Sequence, residues 1–114
     1  YKSSESYSKL IENYFKKKKI SFDYFILGMG KDGHIASIFP CSDELTTKFI
    51  AKPVYRKDFN RITLSLNVIN NSKKNIFWLN NKFKSKKFNQ LKSKGKEIPV
   101  NRLNEKKTLI YKIN

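Results

Sequence analysis

Cysteine, histidine and tryptophan occur once each in this 114-residue chain, and proline only three times. A single thiol, Cys41, can close no internal disulfide, and no Cys/His cluster has metal-ligand spacing. Neither a disulfide scaffold nor a metal module is therefore expected, and the composition suits a reducing cytoplasm. No run reaches the roughly 18 apolar residues of a spanning helix, and no charged-then-apolar leader precedes a small-residue cleavage site. Neither a membrane partner nor secretion is expected. Acidic residues are few, 9 against 25 Lys and Arg, for a formal charge of +16. Such a charge alone would suggest nucleic acid or an anionic surface. Arginine, however, is confined to Arg56, Arg61 and Arg102, and base readers lean on its planar fork. Lysine here rises together with asparagine and isoleucine, the imprint of an AT-rich coding sequence, so no nucleic-acid partner is expected.

What is present fits one α/β segment over residues 1–114, without repeats or a linker long enough to separate domains. The first residue is Tyr1 rather than Met, and a helix begins almost at once, so the chain is expected to start mid-protein. Ser3 or Ser4 can cap a helix over residues 4–18, whose apolar face carries Tyr7, Leu10, Ile11, Tyr14 and Phe15. Its last turn is then Lys16 to Lys19, cations at the negative end of the helix dipole. Phe22 to Leu27 is apolar apart from Asp23 and lacks alternation, which predicts a central parallel strand covered on both faces. A short helix is expected over His34 to Phe39, stopped by Pro40.

Further on, Phe49 to Val54 reads as a strand, Tyr55 to Asn60 as a polar connection, and Arg61 to Leu66 as an alternating strand. Asn67 is expected to cap a short helix through about Lys73. Ile76 to Leu79 is a buried strand, with Trp78 read as core; Asn80 and Asn81 then mark a tight turn with left-handed backbone. A lysine-rich helix over Phe83 to Ser93 is closed by Gly95. Ile98 to Val100 is read as extended, and Thr108 to Ile113 as a final strand. Strands alternating with short helices predict a Rossmann-like layered sheet of mainly parallel strands.

Chemistry concentrates at Gly28-Met29-Gly30-Lys31-Asp32-Gly33-His34, a glycine-rich turn carrying the only histidine. Gly28, Gly30 and Gly33 satisfy G-x-G-x-x-G after a strand, yet the dinucleotide site also needs a full crossover helix and an acidic residue about 20 residues on. Pro40 and the carboxylate-free end of Phe49 to Val54 argue against it. A bland alternative is a tight turn with a satisfied polar histidine. Against that stands the cluster itself: Asp32 can orient the imidazole of His34, and helix-start amides would favour an anion. Cys41 lies past Pro40 on a chain leaving the turn and is read as a passive thiol; Ser37 is read as a packing or capping hydroxyl.

Phe22 to Pro40 resembles the signature of 6-phosphogluconolactonases, a hydrophobic strand running into L-G-M-G-x-D-G-H-x-A-S-L/I-F-P. Arg61 to Leu66 is similar to that family's R-I-T-L-T-L strand, Asn70 falls at a family asparagine, and Phe77 to Lys84 is similar to its strand-Gly-x-x-Lys segment, with Asn81 for the glycine. Glucosamine-6-phosphate deaminases share the D-G-H core but continue A-F-N-E-P where this chain has Ala36 to Pro40. The resemblance implies hydrolysis of 6-phospho-D-glucono-1,5-lactone in the oxidative pentose phosphate pathway, with His34 as general base and Asp32 orienting it. It also implies that the Gly28, Gly30 and Gly33 turn lines the substrate and that Arg61 and Lys84 contact the 6-phosphate. No metal or redox cofactor is implied. The family's glycine-rich phosphate loop and D-E-R segment do not occur here, so the missing N-terminal half of the same chain is expected to complete the site. A deaminase-like enzyme, an inactive remnant and a basic binding module are the alternatives. A half-sheet without its partner strands is expected to self-associate.

Overall fold

The computed structural model describes residues 1–16, 18–79 and 81–112. The expected α/β architecture is present. Helix α1 (Lys2–Tyr14) precedes strand β1 (Tyr24–Leu27); β2 (Ala51–Val54) and β3 (Arg61–Leu64) follow, then α2 (Leu66–Asn70), β4 (Lys74–Leu79), α3 (Lys82–Leu91) and β5 (Thr108–Lys112). Strands β1, β4 and β5 form a parallel sheet with β4 in the middle, while β2 and β3 form a separate antiparallel pair.

One face of the parallel sheet is built for burial. Leu27 pairs with Phe77 and Phe77 with Ile110 across the strands, and Leu27, Phe77 and Leu79 join Ile35, Ile38, Ile69, Phe88, Leu91 and Val100 in the core. The rings of Phe77 and Phe88 meet at 5.4 Å, which ties α3 to the sheet. On the other face, register aligns Ile26 with Ile76 and Leu109, and Trp78 with Tyr111. That face is bare: Ile26 is 75%, Trp78 50% and Tyr111 52% exposed.

Strand β1 is accordingly neither central nor covered on both sides among the described strands, and Trp78 is not a core residue. The reason is topological. Helix α1, which could have covered the bare face, packs instead on the β2–β3 pair, where Ser8 Oγ accepts from the Ala51 N–H at 3.1 Å. Only Ser4 and Ile11 of α1 are buried, leaving Leu10 and Tyr14 exposed.

Local boundaries shift for local reasons. Helix α1 stops at Tyr14 because Lys16 turns left-handed, φ 52°, so Lys16, Lys18 and Lys19 lie beyond the helix; Lys17 is outside the described residues. Ser65 rather than Asn67 caps α2, its Oγ accepting from the Val68 N–H at 3.3 Å. Asn81 caps α3 in an extended conformation, φ −160°, with Oδ1 accepting from the Lys84 N–H at 2.8 Å; the expected left-handed turn at Asn80 lies outside the described residues. Pro99–Arg102 forms a 3-10 turn instead of an extended stretch. Residue 113 of the expected last strand is likewise outside the described residues.

Candidate active site

Leaving β1, the chain buries Met29 and then folds back on itself, with the Gly30 N–H donating to the His34 carbonyl at 2.9 Å and the Gly33 N–H to the Gly30 carbonyl at 3.0 Å. No helix follows. Residues 35–38 make a tight turn bridging Ile35 to Ile38, with Ala36 left-handed at φ 49°. The short helix expected over His34 to Phe39 is absent, and with it the helix-start amides expected to favour an anion.

Two of the three glycines have a demonstrable reason. A Cβ on Gly30 would lie 2.0 Å from His34 Cε1, so the imidazole rests on space that only glycine leaves open. Gly33 has φ +87°, and a Cβ there would meet Ile98 Cγ2 at 2.4 Å; its carbonyl also accepts from the Val100 N–H at 3.2 Å. Gly28 faces open space.

Asp32 holds His34 twice. Its Oδ1 accepts from the His34 backbone N–H at 3.1 Å and sits 2.6 Å from Nδ1. With Asp32 ionised, Nδ1 donates its proton to the carboxylate, and in the neutral form of the ring this leaves the Nε2 lone pair available, the arrangement a general base needs. Partial burial pushes the Asp32 carboxyl upward, but the side-chain and backbone hydrogen bonds from His34, with the charge of its ring, outweigh this and hold the carboxyl below its usual range. The ring of buried Phe39 backs the imidazole at 4.5 Å.

His34 opens on a cleft of about 580 Å³ that Phe39, the Tyr55–Asp58 segment and Arg61 also line. Arg61, at the start of β3, donates from an Nη to Asp58 Oδ2 at 2.6 Å and lies over the rings of Phe59 and Phe39. Its Nε is buried without a partner. The Phe59 backbone N–H, with burial opposing and Arg61 assisting, lowers the Asp58 carboxyl. Thr63 Oγ1 accepts from the Ser37 N–H at 3.1 Å, joining the histidine turn to the strand of Arg61. The structure thus brings His34, Asp32 and Arg61 together. Lys84 sits half-buried in the first turn of α3 and is not among the residues lining the cleft. Cys41 is exposed and left-handed, its N–H donating to the Glu97 carbonyl. A hollow of about 420 Å³ between α3 and β5 contains none of the expected site residues.

Arg56 was not singled out in the sequence, where its segment reads as a polar connection. Its guanidinium stacks on Phe39 beside the candidate base. The available signal was the scarcity of arginine.

The profile of the glucosamine-6-phosphate isomerases/6-phosphogluconolactonase family matches residues 1–111. The chain belongs to this family. A protein of the family named probable 6-phosphogluconolactonase, from Dictyostelium discoideum, is 35% identical over 94 residues, 78% of this chain and 40% of that protein. The crystal structure of 6-phosphogluconolactonase from Thermotoga maritima superposes with a TM-score of 0.78 at 26% identity, covering 96% of this chain and 49% of that one. For the 6-phosphogluconolactonase from Shewanella baltica OS155 the values are 0.71 and 28%, over 94% of this chain and 50% of that one. This member of the family therefore spans about half the length of the relatives it matches.

Proposed function

We propose that the chain supplies the C-terminal half of a 6-phosphogluconolactonase domain, which hydrolyses 6-phospho-D-glucono-1,5-lactone to 6-phosphogluconate in the oxidative pentose phosphate pathway. The Asp32–His34 pair at the mouth of a cationic cleft carries this reading. Nε2 of His34 takes a proton from water as the water oxygen attacks the lactone carbonyl carbon. The resulting tetrahedral oxyanion collapses, the bond from carbon to ring oxygen breaks, and the departing oxygen receives the proton from His34 to become the 5-hydroxyl. Asp32 keeps the ring in the required tautomer and orientation throughout. The resemblance gives the substrate lining to the Gly28 to Gly33 turn and the phosphate end to Arg61 and Lys84; of these residues Arg61 lines the cleft with His34, whereas the N–H groups of Gly30 and Gly33 are engaged within the turn.

The remaining walls of the pocket come from polypeptide equivalent to the half of the relatives that this chain does not match. Its place is the bare face of the parallel sheet, since parallel sheets are ordinarily covered on both faces. Among the described residues no helix is long and apolar enough to cross a membrane, and we assign the enzyme to the cytoplasm. The ending Ser37-Ile38-Phe39-Pro40 favours the lactonase over the deaminase branch. Incubation of the full-length protein with the phosphorylated lactone and, separately, with glucosamine 6-phosphate tests this. Acid release from the lactone alone supports the proposal; ammonia release from the amino sugar with no lactone turnover would reverse it.

A further inference from the structure

Arg56 lies in the connection between β2 and β3, its guanidinium carbon 3.8 Å from the centroid of Phe39. Phe39 is 5% exposed and its ring centroid lies 4.5 Å from that of His34, so one fixed aromatic carries both the arginine and the candidate base. A guanidinium held over a ring face by cation–π attraction commits none of its hydrogen bonds to that contact, so its N–H donors stay available for a planar or tetrahedral anion. The charge of Arg56 is also unopposed. Asp58, the acidic residue of the cleft lining, is engaged by Arg61, and among the described residues Arg56 has no ion pair.

Arg61 is the weaker anchor. One Nη is committed to Asp58, whose carboxylate offsets the guanidinium charge. The net positive field in the cleft therefore comes from Arg56 and its neighbour Lys57, of which only Arg56 is oriented by a stack. The guanidinium carbon and the imidazole can be no farther apart than the two stacking distances combined, and both residues line the same cleft.

We propose that Arg56, held on Phe39, is the principal side chain of this chain that grips the substrate's phosphate, with Arg61 its neutralised neighbour. This rests on the lactonase reading of the same cleft and replaces Lys84 by a residue that lines it. Titration calorimetry of the full-length protein with 6-phosphogluconate and with unphosphorylated gluconate tests it. The unmodified protein is expected to prefer 6-phosphogluconate, and Arg56→Ala to weaken that ligand about tenfold or more while leaving gluconate unchanged, with Arg56→Lys between them because it keeps the charge and loses the fork. Arg56 is exposed, so an unchanged melting temperature shows that Arg56→Ala retains the fold. An undiminished phosphate preference in folded Arg56→Ala overturns the inference and leaves the lactonase reading intact. No preference for the phosphorylated ligand in the unmodified protein overturns both.

Discussion

Gly30 and His34 are coupled through one missing atom. Because a Cβ would collide with the imidazole, Gly30→Ala is expected to displace the ring and cut turnover sharply, while Gly28→Ala, facing open space, leaves the chain's own fold and melting temperature unchanged. The Asp32 carboxyl is held below its usual range, whereas its unfolded value is about 3.9. A depressed carboxyl stabilises the fold above the unfolded value and loses that contribution as pH falls through the folded one. The melting advantage over Asp32→Asn should thus be present above about pH 4 and shrink on acidification. At this scale the sequence was informative wherever function is local: Gly30, Asp32, Gly33 and His34 lie within five consecutive positions and contact one another. Arg56 was illegible because its meaning comes from Phe39, a contact that only the folded chain creates.

Elements were legible where one periodicity ruled and misread where a single backbone angle decided. Strand β4 and helix α3 lie near their expected positions because buried side chains at Phe77, Leu79, Phe88 and Leu91 impose them. Phe77→Ala should cost about 3–5 kcal/mol by chemical denaturation, the range for emptying a fully buried aromatic site. The helix expected after the glycine turn failed because Ala36 adopts φ 49°, a conformation that periodicity does not encode. Capping of α2 by Ser65 was hidden by an alternating apolar pattern running through it. Ser65→Ala should lower stability by about 1 kcal/mol, through loss of the bond from the Val68 N–H.

For the whole molecule, the dominant feature is a sheet finished on one side only. Tyr24, Ile26, Trp78, Leu109 and Tyr111 form a continuous apolar face by register, and each is at least 45% exposed. Such a face is hard to keep in water. The isolated 114-residue chain should therefore sediment as a concentration-dependent oligomer, and Trp78→Lys should shift it toward monomer; a monodisperse, cooperatively melting monomer of the unmodified chain would contradict this. The α/β class and the parallel order were readable from apolar runs. The open face was not, since an apolar strand reads identically whether its cover is supplied by this chain or by other polypeptide.

The central claim is that His34, held by Asp32 over Gly30, activates the water that opens the lactone. Its most direct test is the initial rate of 6-phosphogluconolactone hydrolysis by the full-length protein and by His34→Ala at equal concentration and pH, with melting recorded for both. A fall of about 10²- to 10⁴-fold without loss of the fold is expected for removal of a general base; unchanged turnover in a folded His34→Ala protein would contradict it.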